Sequence, residues 1–368
     1  MSAAAHLRRQ RERCAPPHYQ RGIALLVAVL LVALGTIVAA AVAYESAMTA
    51  RRGTATYAFD QAVLIGEGAE ALAAYGLRQI AQSNSKEIYA GQGWDKPLGP
   101  LEVVPGVMLE ASLEDLQGRF NINNLVTNYD APDQVSVAAF THLLELVGLE
   151  TKWTGYVVDW IDKNDQPSIP EGAEDSVYMG QTLPYRPPNR YITSISELLA
   201  LPGFGRERYL KLAPYITALP HGTKLNLCTA SPVVLDAYLD HEEFTQDPEG
   251  LAKNRTNAGA CFPKLSDYSV AFKDATQWTG AAPPAAASSG QQAPVPPAQT
   301  GQTKGVQGAV GVTSSYFGLT SLVTIGSTEF NLYSLLYQDG QLRMVRPVQR
   351  SFTPEPRIYA PVAPVNGQ

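Results

Sequence analysis

The densest group of side chains able to do chemistry lies in residues 159–175. This segment holds six carboxylates against one base, Lys163. Carboxylates at such density repel one another unless they are solvated or neutralised, and hard oxygen ligands in a loop interrupted by Pro and Gly suit the loose coordination of Ca²⁺. The segment lacks His and Cys, which disfavours zinc or iron. We therefore predict a calcium site with four carboxylate ligands: Asp162, Asp165, Glu174 and Asp175.

The other oxygen-bearing groups of this segment are weaker ligand candidates. Asn164 and loop carbonyls could supplement the four carboxylates, whereas Asp159 could face away on a helix and Glu171 could be solvated. The segment is not an EF-hand, because the regular ligand spacing and the final Glu are missing. An acidic surface loop without an ion is the alternative, and the pattern does not decide between one ion and two.

Sequence patterns typical of catalysis are missing. The chain has no nucleophile elbow, P-loop, dinucleotide fingerprint or His-rich cluster. His142 and His221 are better explained as surface or core residues than as ligands or bases. We predict no catalytic residue and no enzyme activity, with a membrane-anchored hydrolase as the alternative.

An apolar segment near the N-terminus predicts how the chain is anchored. Residues 23–44 carry no charge, and at about 1.5 Å per residue these 22 positions span roughly 33 Å as a helix, enough to cross a bilayer. Five Arg and one Glu precede the segment, so residues 1–22 should face the cytoplasm. Cleavage after Ala39–Ala41, as in a secretory signal, is the alternative. Residues 45–83 continue at helical spacing, which predicts one long helix, half in lipid and half outside.

A basic leader that ends in Gly22, followed by this helix, resembles type IV prepilins and the pseudopilins of type II secretion. The resemblance implies that a prepilin peptidase cleaves after Gly22 and methylates Ile23. Such proteins usually carry Glu at the fifth mature position, where it neutralises the terminal ammonium of a neighbouring subunit; here that position is Val27. Its absence, with about 346 residues left after cleavage, is characteristic of the K-type minor pseudopilins.

Short motifs along the body extend the resemblance to the K-type family over nearly the whole chain. They are 115–125, 159–162, 186–190, 194–198, 224–231 and 314–317. The resemblance implies calcium binding, although its ligands cannot be matched position by position. It also implies I- and J-type minor pseudopilins, the prepilin peptidase and the inner-membrane secretion platform as partners.

Charge and cysteine content narrow the environment of the exported part. The formal net charge of −6 includes a leader of +4, so the processed chain carries about −10, which argues against a nucleic-acid partner. Cys14 lies in the leader, and Cys228 and Cys261 are the cysteines that remain. In an oxidising periplasm an even pair predicts a disulfide, worth roughly 3–4 kcal/mol on the chain-entropy model. Two unrelated buried thiols are the alternative.

Two helical hairpins are predicted in the middle of the chain. Residues 143–149 leading to Ile161 and residues 198–204 leading to Ile216 share a helix, Gly turn, helix pattern, offset by 55 residues. They resemble the helix-hairpin-helix unit, whose turn binds DNA phosphate, but few basic side chains surround these turns. We therefore predict a compact helical domain without nucleic-acid binding.

The predicted fold is α+β: a pilin-like long N-terminal helix packed on an antiparallel sheet, with a large inserted all-α domain containing two helix-hairpin-helix-like (SAM-like) repeats. Strands are predicted at 101–107, 108–116, 316–325, 329–338 and 341–348, the last two joined by an Asp339-Gly340 turn. The predicted domains are a leader (1–22), a transmembrane helix (23–44), a first pilin-like part (45–125), the helical domain (126–240), a return to the pilin-like domain (241–278), a disordered linker (279–311), C-terminal strands (312–352) and a tail (353–368).

The predicted function is structural: a minor pseudopilin that caps or primes the tip of the periplasmic pseudopilus, which exports folded proteins across the outer membrane. The predicted location is the inner membrane, with a single span and the body in the periplasm. The alternatives are a minor pilin-like tip adhesin and a membrane-anchored periplasmic binding protein.

Overall fold

The computed structural model describes residues 20–82, 87–128, 130–168, 170–238, 261, 306–340 and 344–352. Most of the predicted leader and linker, the predicted tail, and the predicted return segment apart from Cys261 lie outside the described residues. The chain divides into two compact units, Met1–Gln61 and Ala62–Gln368.

The helices and strands follow one another with a long central gap. The helices are α1 (Gln20–Gln82), α2 (Gln134–Leu146), α3 (Trp153–Ile161), α4 (Asp175–Met179), α5 (Gly205–Leu212), α6 (Pro232–Tyr238) and α7 (Val306–Ala309). The strands are β1 (Leu98–Val104), β2 (Val107–Asp115), β3 (Phe120–Asn121), β4 (Ile216–Thr217), β5 (Leu225–Asn226), β6 (Val310–Gly311), β7 (Tyr316–Ile325), β8 (Thr328–Gln338) and β9 (Val345–Ser351). Short 3₁₀ helices lie at Leu116–Gly118, Ile122–Leu125, Ile195–Ala200 and Ala213–Tyr215.

In the first unit the described residues form one helix. Helix α1 contains no Pro, and its first part is rich in Ala, Leu and Val, which favours uninterrupted helix. The side chains of Ile23, Leu31 and Val32 are each more than 60% exposed. Of the described helices, this one is long and apolar enough to cross a membrane, by length and composition. The predicted long helix is confirmed.

The second unit contains a five-stranded antiparallel sheet in the order β1-β2-β7-β8-β9. Strand β7 alternates buried and half-buried residues, as expected for a strand with one face on the core. Its buried residues Phe317, Leu319 and Val323 pack in one cluster with Ala69 and Leu77 of α1. The predicted helix on an antiparallel sheet is therefore confirmed, and strands β7 and β8 lie within one residue of their predicted limits.

Close packing of α1 on the sheet depends on a glycine and on an ion pair. A Cβ at Gly66 would lie 2.6 Å from Cδ2 of Leu332, so a larger residue would push the helix from β8. The buried carboxylate of Glu70 accepts hydrogen bonds from the Ser334 hydroxyl and from Arg350 Nη2, both at 2.6 Å. These contacts fix α1 to both β8 and β9.

The helical region between β2 and β7 has a separate core. This core begins at Phe120, before the predicted domain boundary at 126, because Phe120 packs on Phe140 and Tyr238 with ring centroids 5.3 and 5.5 Å away. The region is not purely helical, since β3 pairs with β4 and β5 with β6, both in parallel.

The two predicted hairpins differ in the structure. The first is formed by α2 and α3, with Gly148 at φ +69° between them. In the second, the segment before Gly203 is the 3₁₀ helix Ile195–Ala200, started by a capping box of Ser194 and Glu197. The 3₁₀ geometry breaks the predicted identity of the two hairpins.

The end of the predicted linker is ordered. Residues 306–311 form α7 and β6, and Val310 is buried in the core of the helical region. The backbone N–H of Leu227 donates to the carbonyl of Gly311 at 2.9 Å, next to the β5–β6 pair. Composition alone suggested disorder here because it does not register a single buried Val.

Candidate metal centre

Helices α3 and α4 bracket the acidic segment. Helix α3 buries Val157, Val158 and Ile161, so its C-terminal end lies against the core. Asp162 is the C-cap of α3, and its N–H donates to the Val158 carbonyl at 2.9 Å. Glu174 is the N-cap of α4. The apolar face of α3 therefore places a carboxylate at the edge of the core, facing the loop that leads to α4.

Asp159 organises the backbone of this loop. It is fully buried, and its carboxylate accepts hydrogen bonds from the N–H groups of Ser168, at 3.0 Å, and Ala173, at 2.7 Å. Burial raises the pKa of Asp159, and these hydrogen bonds act in the opposite direction. The side chain faces the loop, where it holds the backbone in place.

Two glycines make the close loop packing possible. A Cβ at Gly172 would lie 2.2 Å from Oδ2 of Asp159 and 2.3 Å from the Ser168 nitrogen. A Cβ at Gly155, on α3, would lie 1.9 Å from the Glu171 carbonyl oxygen. Any side chain at either position would displace the loop from α3.

Asp162 and Glu174 are the two buried carboxylates with unpartnered oxygens. Their side chains are 2% and 4% exposed. Oδ1 of Asp162 and both oxygens of Glu174 find no hydrogen-bond partner within the described part of the chain. Buried anionic oxygens without partners are costly, and a bound cation would supply what they lack.

Electrostatics confirm that these carboxylates share one neighbourhood. Burial raises the pKa of Asp162 to about 7, with repulsion by Asp159 and Asp130 adding to the effect. Burial also raises the pKa of Glu174 to about 7, together with repulsion by the surrounding carboxylates, including Asp162 and Asp165. The arrangement concentrates negative charge where protons or a cation must neutralise it.

Asp165 and Asp175 are less deeply placed. Asp165 is exposed, and it acts on Glu174 through its charge. Asp175 is partly exposed, and its Oδ2 lies 3.5 Å from Nε of Arg186. Within the described ranges, no group of three or more His, Cys, Asp or Glu side chains is arranged to hold a metal ion. The structure thus brings together Asp162 and Glu174, and leaves the other two predicted ligands at the rim.

Asp130 is a member of this acidic group that the sequence did not identify. It adopts a left-handed backbone conformation with φ +63°, and its Oδ1 accepts a hydrogen bond from the Lys163 N–H at 2.8 Å. Its position 32 residues before Asp162 hides it from any local pattern. The clue was slight: Asp is among the few residues that tolerate a positive φ.

The other predicted site residues lie elsewhere. Cys228 and Cys261 form a disulfide with a Cα–Cα distance of 4.9 Å, and both are buried. Gly22 and Ile23 lie in the first turns of α1, and the Ile23 side chain is exposed.

Comparison with known proteins gives consistent matches. The sequence model of the family described as type II secretion system (T2SS), protein K, matches residues 118–221. The type II secretion system protein K of Pseudomonas aeruginosa is 34% identical over 249 residues, which cover 65% of this chain and 72% of that protein. The protein of the same name from Pectobacterium carotovorum is 29% identical over 347 residues, which cover 90% of this chain and 96% of that protein.

One solved structure shares the fold. It is the crystal structure of the GspK–GspI–GspJ complex from the type 2 secretion system of enterotoxigenic Escherichia coli. The match has a TM-score of 0.60 at 20% identity, and covers 83% of this chain and 100% of that chain.

Proposed function

The chain belongs to the type II secretion system protein K family, and from this premise we propose that it caps or primes the tip of the periplasmic pseudopilus. It is a minor pseudopilin of that system. Its role is assembly without catalysis, and its partners are I- and J-type minor pseudopilins. The single observation that carries the proposal, beyond family membership, is helix α1, which is continuous from Gln20 to Gln82.

Helix α1 supports processing and anchoring of the pilin type. We propose that the prepilin peptidase cleaves after Gly22 and methylates Ile23, and that the remaining helix stays in the inner membrane with the body in the periplasm. Val27 stands where a filament subunit would carry Glu. Without that carboxylate the chain offers no partner for the terminal ammonium of a further subunit, which suits a position at the tip.

The acidic group supports a Ca²⁺ cofactor. Asp162 and Glu174 would bind the ion directly, because their buried oxygens have no other partner in the described structure. Asp165, Asp175, Asn164, loop carbonyls and water could complete the shell, since Ca²⁺ takes six to eight oxygen ligands. The bound ion would neutralise the carboxylates and hold the loop against α3, so its contribution is structural.

The hairpins support a scaffolding role. We propose that both hairpins, as SAM-like units, form the rigid core of the helical region. In the second hairpin Arg208 pairs with Glu150 at 2.6 Å, so this basic side chain near the turn is engaged within the protein.

Co-purification tests the tip assignment. The full-length chain, tagged at its C-terminus and extracted in detergent from cells that carry the secretion system, should bring down the I- and J-type minor pseudopilins. Val27→Arg puts a charge into the apolar part of α1 and should abolish the complex, whereas Ser46→Arg, placed beyond the apolar part, should retain it. Recovery of the chain alone, or at the tips of extracellular filaments, would favour the adhesin alternative.

A further inference from the structure

A groove of about 450 Å³ crosses the outer face of the sheet. Its floor is formed by the residues of β2, β7 and β8 that alternate with those packed on α1, so it lies on the opposite face. Residues 193–195 and 216–219 of the helical region form one wall, and residues 97–99 at the start of β1 lie at the other side. All of these residues belong to the second unit.

Hydroxyl side chains form a row across this floor. Ser112 is opposite Thr320, Thr320 is opposite Tyr333, and Tyr333 is opposite Ser351. The four residues therefore lie side by side on β2, β7, β8 and β9, and all four line the groove. At about 4.8 Å between neighbouring strands, the row is roughly 14 Å long.

Apolar side chains flank the row. Leu322 on β7 and Leu335 on β8 also line the groove, two residues along their strands from Thr320 and Tyr333. The floor thus combines hydroxyl groups with aliphatic surface and the aromatic ring of Tyr333. A sugar ring presents the same combination, with hydroxyls at its rim and C–H groups on its faces.

The hydrogen-bonding and charge character of the floor restrict the ligand. Each hydroxyl can both donate and accept, which matches a ligand whose groups do both. Glu110 and Glu114 line the groove, and the lining base Arg119 is engaged by Glu114 at 2.6 and 2.8 Å. The carboxylates disfavour phosphates and other anions.

We propose that this groove binds a short strand of neutral glycan. The row of hydroxyls reads the sugar hydroxyls, while Leu322, Leu335 and Tyr333 contact the ring faces. The inference goes beyond pseudopilus assembly and uses the proposed function only for the compartment, the periplasm, in which such a strand would be met.

Fluorescence anisotropy with two neutral tetrasaccharides, labelled N-acetylchitotetraose and cellotetraose, tests the proposal on the full-length protein in detergent. At least one neutral probe should bind saturably, be displaced by its unlabelled form, and bind better than tetragalacturonate, which is anionic. Thr320→Val keeps the side-chain shape and removes one hydroxyl, so affinity should fall roughly three- to tenfold. Tyr333→Phe should weaken binding to a similar extent.

Thr324→Val is the matched control. Thr324 alternates onto the same face of β7 but does not line the groove, so this variant should bind as the parent does. The unfolding midpoint of each variant checks that the sheet is intact. The proposal is overturned if neither neutral probe binds, if Thr320→Val and Tyr333→Phe bind with parental affinity, or if the anionic probe binds as well.

A protein partner for the groove is the remaining outcome. Loss of the I- and J-type partners in Thr320→Val, without glycan binding in the parent, would assign the groove to a pseudopilin contact and overturn the glycan proposal. Because the glycan assay contains no other pseudopilin, its failure leaves the tip assignment unaffected.

Discussion

The side-chain amide of Asn226 donates a hydrogen bond of 2.9 Å to Oδ2 of Asp115, at the end of β2. The same oxygen accepts hydrogen bonds from the hydroxyls of Thr229 and Ser314, each at 2.6 Å. Asp115 is buried, and burial raises its pKa against the opposing effect of these hydrogen bonds. One carboxylate thus joins the sheet to the helical region and to the segment that enters β7.

Removal of this carboxylate should weaken the whole second unit. Asp115→Ala leaves three buried donors without an acceptor, so we expect the free energy of unfolding to fall by about 3 kcal/mol. Urea unfolding followed by Trp fluorescence measures the change. Glu110→Ala on the same strand removes an exposed carboxylate and should stay within about 0.5 kcal/mol of the parent. Equal effects of the two variants would contradict the junction.

Calcium should stabilise the protein through Asp162 and Glu174. At a free Ca²⁺ concentration a hundredfold above Kd, the free energy of unfolding should exceed the value in EDTA by about 2.7 kcal/mol. The double variant Asp162→Asn, Glu174→Gln should lose this difference, and should be more stable than the parent in EDTA because two buried charges are gone. Glu171→Gln, in the same loop but exposed, is the control. An undiminished calcium effect in the double variant would exclude these ligands.

The pH dependence of calcium binding follows from the raised pKa values. Asp162 and Glu174 have ordinary pKa values of 3.8 and 4.5, which rise to about 7 in the folded protein. Between about pH 4 and pH 7 the metal-free folded state therefore binds more protons than the unfolded state, so its stability falls as pH rises through this window.

Calcium requires both carboxylates ionised, so its affinity should fall as pH drops below about 7, with about two protons released per ion near pH 6. Calorimetry in buffers of different ionisation enthalpy counts the protons. Calcium binding at pH 6 without proton release would contradict the assignment.

The disulfide should stabilise the region around α6. Cys228 and Cys261 are 33 residues apart, and closing a loop of that length contributes about 4 kcal/mol on the chain-entropy model. The double variant Cys228→Ser, Cys261→Ser should lose a comparable amount in urea unfolding under oxidising conditions. Cys14→Ser should leave stability unchanged, because Cys14 lies in the leader. If dithiothreitol had no effect on the parent, the disulfide would not contribute in this way.

The sequence predicted the elements whose patterns are local. Helix α1 followed from an apolar segment without Pro, and β7 and β8 followed from alternation around the turn at Gly326. The acidic loop was also visible as a local excess of carboxylates. Contacts between distant segments were not predictable in the same way: Asp130 lies in another loop, and the donors to Asp115 come from 111 to 199 residues away.

Sequence motifs nevertheless marked that junction without explaining it. The segments 115–125, 224–231 and 314–317 supported the family resemblance, and the structure brings Asp115, Asn226 and Ser314 from these three segments into one hydrogen-bonded cluster. By contrast, the 3₁₀ geometry of Ile195–Ala200 depends on local hydrogen bonding, which hydrophobic periodicity does not distinguish from an α-helix.

The most direct test of the pseudopilin account is the intact mass and N-terminal sequence of the protein extracted from membranes, with and without an active prepilin peptidase. The account predicts a chain that starts at N-methylated Ile23 when the peptidase is active, and a chain that keeps residues 1–22 when it is not. A start beyond Ala41, or an uncleaved terminus in the presence of the peptidase, would contradict it.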